Sequence, residues 1–402
     1  MTTKNMGTQA ATPTLGLMLF IVLGAVGALT PLAIDMYLPA MPAIAKDLGV
    51  LPGAVQITLT TYTIGFALGQ LLHGPLSDSY GRRPILVIGI ILFAIASVIS
   101  ATTESIEALM YVRLAQGFAG AAAAVIIQAV IRDMFDKEDF ARTMSFVTLV
   151  TMAAPLIAPM LGGHLAAWFG WRSIFWVLGI FSMVVIAAVM WKIPETLSEE
   201  HRQPLNLRTT LKNYGTLFNN RAALGLMFAG AFSFSGMFVF FNAGSFVYID
   251  IYGVDSEVFG YLFSLNAAAL VVMTSINGRV VKKIGSHKML QVGLFIQLLA
   301  GIGLFFGWMA DIGLWGIAPF VMLFIGMIST IGSNSMALLM SQYPQMAGTT
   351  SSLAGTIRFG TGSILGLIIA LLPTTSPLPM VLGMGACAVL SSLSYWLLGK
   401  KT

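Results

Sequence analysis

Long apolar runs dominate the chain and are separated by short polar segments. Each run is close to or above the roughly 20 residues that an α-helix needs to cross the hydrocarbon core of a bilayer. The pattern predicts twelve membrane-spanning helices, at residues 15–43, 54–76, 84–101, 105–131, 142–167, 172–192, 222–249, 257–279, 288–308, 313–340, 347–372 and 379–398. The predicted fold class is therefore an all-α integral membrane protein.

Composition excludes an ordinary soluble protein. Of the 402 residues, 57% are hydrophobic and only 9% are charged, whereas about 25% are charged in a typical soluble domain. The net charge of +5 follows from basic residues in the loops, so we expect the lipid bilayer, and not a nucleic acid, as the partner of this surface.

Basic residues lie almost entirely on one side of the predicted bundle. With the N-terminus in the cytoplasm, Lys46 and Arg172 lie outside, while Arg113 and Arg358 lie within helices. The remainder of the 21 Lys and Arg residues face the cytoplasm. Because cytoplasmic loops carry an excess of Lys and Arg, we expect both termini in the cytoplasm and an even number of spans.

The longest polar stretch lies near the middle of the chain, at residues 193–222. It predicts an N-terminal six-helix bundle at 1–193, a central cytoplasmic loop at 194–221 and a C-terminal six-helix bundle at 222–402. The second part of the loop is predicted to form a short amphipathic helix on the membrane surface.

A loop with two glycines occurs once in each half. Gly74 and Gly81 belong to the second-to-third loop, and Gly278 and Gly285 have the same spacing in the eighth-to-ninth loop. We interpret the two loops as parts of parallel repeats that are related by an axis along the membrane normal.

A carboxylate, Asp35, lies inside the first apolar run, whereas the other acidic residues within the predicted spans, Glu107 and Glu257, lie at the ends of theirs. An ionised Asp at mid-membrane depth costs about 2.5–3.5 kcal/mol, so such residues are rare and usually functional. A carboxyl group in apolar surroundings keeps its proton more readily than one in water, as a proton-driven transporter requires. Arg113 lies at the same predicted depth, about 12 Å below the outer end of its helix. We expect the two charges to neutralise each other; a static ion pair that only orders the bundle is the alternative.

Neither a metal site nor a cofactor site is expected. The single cysteine, Cys387, and four scattered histidines match no disulfide or metal pattern. The sequence also contains no Walker loop, zinc signature or serine–histidine–acid arrangement, so we do not expect a membrane enzyme.

Several motifs resemble those of the major facilitator superfamily. Residues 74–84, GPLSDSYGRRP, resemble its signature loop, and LMYVRLAQGFAGAAA around Arg113 resembles its fourth-helix arginine motif. Residues 154–163, APLIAPMLGG, resemble the fifth-helix motif of its drug/proton antiporters. IDMYLPAMP around Asp35 is similar to the Bcr/CflA branch of bacterial multidrug exporters. The resemblance implies two six-helix halves in the major facilitator fold.

The resemblance also implies roles for residues. Asp35 would bind the proton and the substrate, and Arg113 would tune it. A gating network that locks the halves in one conformation would comprise Gly74, Asp78, Gly81, Arg82 and Asp133; simple topological anchors are the alternative. The antiporter motif would comprise Pro155, Pro159, Gly162 and Gly163, which let the fifth helix bend and pack closely against the other half.

Further residues are candidates for lining a substrate cavity: Tyr37, Tyr62, Gln116, Phe238, Asn242 and Arg358. Phe238 belongs to a group of phenylalanines in the seventh helix that forms either an aromatic wall or a lipid-facing surface: Phe232, Phe234, Phe238, Phe240 and Phe241. No acidic residue within the last six predicted helices can pair with Arg358, so carbonyls, water or an anionic group must serve.

The resemblance implies that the protein exports small antibiotics, including bicyclomycin-like drugs, across the bacterial inner membrane. We expect a monomer that exchanges drug for protons by alternating access. A proton-coupled exporter or importer of a small metabolite, such as an amino acid, is the alternative, since fold does not fix function. The fifth-helix motif argues against import.

The predicted topology can be tested with a reporter enzyme that is active only outside the cytoplasm. Fusions after Arg208 or Lys400 are expected to be silent, and a fusion near Asp255 is expected to be active. Activity of the Lys400 fusion would contradict an even number of spans.

Overall fold

A computed structural model describes residues 17–135, 137–202, 215–343 and 347–399. The predicted surface helix of the central loop and the basic residues at both termini lie largely or wholly outside these ranges. These ranges contain twelve long helices, labelled α1 to α12 in chain order: Leu17–Asp35, Pro52–Tyr80, Arg82–Thr102, Ile106–Met134, Lys137–Phe169, Arg172–Lys192, Arg221–Ser245, Ser256–Ile284, Ser286–Met309, Leu314–Gln342, Ala347–Ala370 and Leu378–Ser394. The predicted all-α fold is confirmed.

Ten helical segments of the described chain are long and apolar enough to cross a bilayer by composition alone. α2 is not among them because it carries many polar residues. Gln56, Thr58, Thr60 and Thr63 are nevertheless buried, which removes them from lipid. Within α5, the described apolar stretch is the segment Ala153–Phe169, which is too short to be counted among the ten. The chain is a multi-pass membrane protein.

The first predicted helix is wrong in one respect, because the chain does not continue as a single helix through Asp35. α1 ends at Asp35 and is followed by a 3-10 turn, Leu38–Ala40, and a short helix, Met41–Leu48. Pro39 and Pro42 explain the break, since proline lacks an N–H group and disfavours helical geometry in the residue before it. The carboxylate therefore lies at a helix end and not in a helix interior.

The glycine loop of each half forms the same backbone turn. Gly81, between α2 and α3, has φ 102° and ψ 152°, and Gly285, between α8 and α9, has φ 84° and ψ 158°. Positive φ of this kind is readily adopted only by glycine. The turn supports the interpretation of two internal repeats.

Close helix packing brings α2 and α4 together within the N-terminal half (α1–α6). A Cβ atom at Gly65 would collide with the backbone of Leu114, and one at Gly117 would collide with the backbone of Tyr62. Small residues permit such approach between membrane helices. This packing holds α4, which carries Arg113, against α2.

The N-terminal half meets the C-terminal half (α7–α12) along two helix pairs, α2 with α11 and α5 with α8. The tightest approaches lie at one face of the bundle, which we call the closed face and define by the loops at 170–171, 252–255 and 371–377. There Gly53 contacts the carbonyl of Ala370, and a Cβ atom at Gly163 would lie 2.7 Å from the carbonyl oxygen of Ser256. By the predicted orientation this is the outer face.

We expect Gly163→Ala to loosen the closed face, because the new methyl group meets backbone atoms that cannot rotate away. The measurement uses the Gln56→Cys variant in a Cys387→Ser background, since Gln56 is fully buried near this face. Gly163→Ala should raise the rate at which a membrane-impermeant thiol reagent labels Cys at this position.

Gly278→Ala is the matched control, because a Cβ atom there meets nothing within 4 Å. Equal labelling of the Gly163→Ala and Gly278→Ala proteins would show that contact at Gly163 does not hold the closed face together.

Candidate functional site

A cavity of about 270 Å³ lies between the two halves. It is lined by Thr30, Pro31, Ile34 and Asp35 of α1, Pro155 of α5, Phe234, Met237, Phe238 and Phe241 of α7, Phe263, Asn266, Ala267 and Leu270 of α8, Ile325 of α10 and Phe359 of α11. Binding sites for drug-sized ligands commonly measure about 300–1,000 Å³. In this conformation the cavity suits a small ligand.

Asp35 is the only acidic residue in the lining of this cavity. Its side chain is buried, and within the described ranges no group donates a hydrogen bond to its carboxylate and no cation lies within ion-pair distance. An ionised carboxylate is costly here for two reasons: it is removed from bulk water, and it lies at the negative end of the α1 dipole. The carboxylate oxygens of Asp35 are therefore available to a proton or to a ligand in the cavity.

Both Nη groups of Arg113 find partners within the N-terminal half and not at Asp35, while its buried Nε has no hydrogen-bond partner in the described chain. Its Nη1 donates to Oε1 of Gln116 at 2.7 Å, and its Nη2 donates to the carbonyl of Ala33 at 3.2 Å. The guanidinium carbon also lies 4.6 Å from the ring centroid of Tyr37 and 4.3 Å from that of Tyr62. Cation–π contacts and charged hydrogen bonds together stabilise the buried charge.

The expected neutralisation of Asp35 by Arg113 is therefore not seen, because the ion pairs of the described chain do not include this pair. Their equal predicted depth did indicate that the two residues are near each other, since Arg113 contacts Ala33, two residues before Asp35. Depth does not decide which way a side chain points. A guanidinium that is fully buried takes the nearest rings, amide and free carbonyl.

Three residues predicted to line the cavity lie elsewhere. Tyr37, Tyr62 and Gln116 are fully buried and surround Arg113. The hydroxyl of Tyr37 shares a hydrogen bond of 2.6 Å with Thr58, and Gln116 donates to Ser97 at 2.8 Å. They fix the geometry of the arginine and do not contact the cavity.

The aromatic wall of the cavity comes from one face of α7. Phe234, Phe238 and Phe241 line it, and their spacing is that of a single helix face. Phe240 instead packs against aromatic residues of its own half, with its ring centroid 5.8 Å from that of Phe263. Phe232 stacks on Phe228 at 5.8 Å. The helical spacing in the sequence was the signal that separates the lining phenylalanines from the others.

Polar contacts cross the interface of the two halves beside the cavity. Thr63 and Ser363 share a hydrogen bond of 2.7 Å, and Thr60 donates to Oδ1 of Asn242 at 3.5 Å. Asn242, predicted for the cavity, is fully buried and donates to the carbonyl of Phe238 at 2.8 Å. It contributes to this interface and not to the lining.

The proline–glycine motif of α5 lies against two neighbours. Pro155 lines the cavity, and Pro159 contacts Gly260 of α8 through its carbonyl oxygen. Gly162 packs on the backbone of Met36, just after Asp35, whereas Gly163 packs on Ser256 of the other half. The motif thus joins the end of α1 to the closed face.

The predicted gating residues form a connected cluster near the face opposite to the closed face. Arg82 is buried; its Nη1 lies 2.5 Å from a carboxylate oxygen of Asp78 and its Nε lies 3.2 Å from one of Asp133. The hydroxyl of Ser77, which donates to the carbonyl of Gly74 at 2.9 Å, accepts from Arg82 at 2.8 Å. In the described chain, these contacts stay within the N-terminal half.

Glu195 completes this cluster and was missed in the sequence. Its carboxylate accepts from the backbone N–H groups of Arg82 and Arg83, at 3.0 and 3.2 Å. An anion at the first N–H groups of a helix satisfies free donors and complements the helix dipole. The neighbouring Thr196 donates to Asp133 at 3.4 Å. The start of the central loop is therefore attached to the glycine turn at Gly81.

Arg358 lies beside the cavity, on α11. Its guanidinium carbon is 5.0 Å from the ring centroid of Phe234, which is a lining residue. It also lines a second, smaller pocket between α7, α10 and α11.

Known proteins are similar to this chain in sequence and in fold. A family model described as Major Facilitator Superfamily matches residues 23–367. A bicyclomycin resistance protein homolog from Haemophilus influenzae is 42% identical over 94% of this chain and 95% of that protein. A chloramphenicol resistance protein from Pseudomonas aeruginosa is 32% identical over 88% of this chain and 84% of that protein.

Solved structures show the same fold at low sequence identity. The xylose transporter XylE from E. coli, in a partially occluded inward-open conformation, matches with a TM-score of 0.73. The match covers 94% of this chain and 97% of that chain at 14% identity. The fold of a transporter is thus shared, whereas the xylose site is not inferred.

We expect Asp35→Asn to leave the thermal unfolding midpoint of detergent-solubilised protein unchanged or higher, because no cation depends on this carboxylate. Arg113→Met should lower the midpoint, because buried acceptors that lose their partner cost about 1–3 kcal/mol each.

Arg279→Met, at an exposed arginine of α8, controls for loss of positive charge. A decrease for Asp35→Asn as large as that for Arg113→Met would reveal a structural ion pair between the two residues.

Proposed function

Because this chain belongs to the Major Facilitator Superfamily, we propose that it exports small antibiotics in exchange for protons by alternating access. The observation that carries the proposal is the carboxylate of Asp35, which has no partner in the described chain. It lines a cavity between the two halves, which meet tightly at the closed face. The names of the two relatives point to bicyclomycin-like drugs and phenicols as substrates. We place the protein in the bacterial inner membrane as a monomer, with both termini in the cytoplasm.

The proton step follows from the absence of a hydrogen-bond donor or a cation at the carboxylate of Asp35 in the described chain. In the empty cavity a proton neutralises the carboxyl group and avoids the cost of a buried charge. A drug that offers hydroxyl or amide donors stabilises the ionised form by hydrogen bonds, so its binding releases the proton to the cytoplasm. After the drug leaves on the outer side, a proton from that side binds Asp35 again.

Arg113 acts in this scheme as a positioning residue. It donates a hydrogen bond to the carbonyl of Ala33 and contacts the ring of Tyr37. Ala33 precedes Asp35 in the chain and Tyr37 follows it. Its contacts fix the end of α1, so the carboxylate stays directed toward the cavity while the proton and the drug exchange.

Alternating access requires the contacts at the interface of the halves to break and re-form. The Thr63–Ser363 and Thr60–Asn242 hydrogen bonds are each worth about 0.5–1.5 kcal/mol net. Such contacts hold one conformation without trapping it. In the predicted orientation the conformation described here is closed to the outside, so the drug reaches the cavity from the cytoplasm.

The Arg82 cluster is proposed to set the balance between conformations. It fixes the turn between α2 and α3 through Asp78, Asp133 and Glu195. Since α2 also packs on α11 of the other half, a shift of α2 during the cycle would be resisted by these contacts.

Asp35→Asn is expected to abolish drug export driven by a pH gradient in proteoliposomes, with chloramphenicol as the substrate. Addition of chloramphenicol to the solubilised wild-type protein in weak buffer should release protons, and the variant should release none. The amide keeps the size of the side chain but carries no exchangeable acid.

Asp47→Asn is the matched control, since Asp47 is an exposed carboxylate that pairs with Arg172 away from the cavity. Its transport should equal that of the wild type. Wild-type export and proton release by Asp35→Asn would transfer the coupling role to another group.

A further inference from the structure

Arg358 is a charge in the membrane interior that the proposed cycle, with its roles for Asp35 and Arg113, does not use. It lies in the middle of α11 and is partly buried. In the part of the chain that the structure describes, its guanidinium makes neither a hydrogen bond nor an ion pair. A charge inside a membrane segment is costly and marks a functional site unless a partner compensates it.

The chain offers no such partner nearby. The acidic residues of the C-terminal half are Asp250, Asp255, Glu257 and Asp311, and all four lie in the segments that join α7 to α8 and α9 to α10 or in the first turn of α8. Arg113, the other interior arginine, has an amide, a carbonyl and two tyrosine rings as partners. Arg358 has only the face of Phe234.

Small residues leave room in front of the guanidinium. The pocket that Arg358 lines includes Gly230, Ala231, Gly332 and Ser335. A Cβ atom at Gly332 would lie 2.9 Å from Nη2 of Arg358, so a methyl group at this position would make the guanidinium shift. The pocket measures about 20 Å³, close to the space that one water-sized group needs. It has room for about one oxygen-sized group and not for a drug.

We propose that Arg358 binds the carboxylate of a substrate whose apolar body fills the phenylalanine-lined cavity. The ring of Phe234 lies between the two spaces, since it lines the cavity and its centroid is 5.0 Å from the guanidinium carbon. The planar guanidinium binds a carboxylate through two parallel hydrogen bonds. This assignment of substrate class rests on the proposed function as an exporter.

Binding of naphthoate and of its neutral methyl ester to the purified, full-length protein tests the assignment by calorimetry. The two ligands share one aromatic body and differ in the charged group. Wild-type protein should bind naphthoate at least about tenfold more tightly than the ester, as a charge-assisted bidentate contact provides.

Arg358→Gln should remove this preference and leave binding of the ester unchanged, whereas Arg358→Lys should retain part of it. Arg279→Gln, at an exposed arginine, should keep the full preference. Gly332→Ala should weaken the preference too, because the methyl group displaces the guanidinium; this variant keeps the arginine and provides the test should Arg358→Gln not fold.

The assignment is overturned if the wild type shows no preference, if Arg358→Gln keeps it, or if both ligands lose affinity equally in that variant. These measurements need no transport. If chloramphenicol releases no proton from the wild type, the proposed antiport fails while the naphthoate preference can still be measured. Asp35→Asn should keep that preference, so the two proposals fail separately.

Discussion

The cost of an uncompensated charge inside the bilayer governs the arrangement of this protein. Two arginines, Arg113 and Arg82, are compensated within the N-terminal half by rings, carbonyls and carboxylates. Two other charged groups, Asp35 and Arg358, lie at the cavity and at the pocket beside it with neither a hydrogen bond nor an ion pair from the described chain, and Arg358 has only the ring of Phe234. The compensated charges stabilise the helix bundle, and the uncompensated ones are available to a proton and a ligand.

The number of long helices could be predicted because lipid leaves the backbone few choices, whereas the family was predicted from the resemblance of its motifs. A chain that crosses a bilayer must satisfy its hydrogen bonds internally, so the length of an apolar run is enough to predict a helix. The break of α1 at Asp35 was harder to predict, since the residues around it are apolar and continue the run. The two prolines after Asp35 carry the information, but proline also occurs inside helices here, as at Pro155 and Pro159.

The candidate site was only partly predictable because it is assembled from distant parts of the chain. Asp35 and Phe238 were found as lining residues from the sequence, the former by its charge and the latter by its aromatic neighbours. Phe263 and Phe359 come from other helices, and only packing brings them to the same cavity. Glu195 looked like an ordinary loop residue, and its role depends on the helix start at Arg82 that it contacts. Direction around a helix axis, more than depth in the membrane, was the missing information.

The two uncompensated charges also have different consequences for the energy of export. A neutral drug gains nothing from the membrane potential, so its exit must be driven by the proton that Asp35 carries. An anionic substrate that leaves a negatively charged cytoplasm gains about 2.3 kcal/mol per charge for each 100 mV. Exchange of such an anion for an entering proton moves charge in the favourable direction twice. The cationic group beside the cavity, Arg358, therefore favours anionic substrates, whose export the membrane potential already drives. Proton exchange at Asp35 is needed most for neutral substrates, which the membrane potential does not drive.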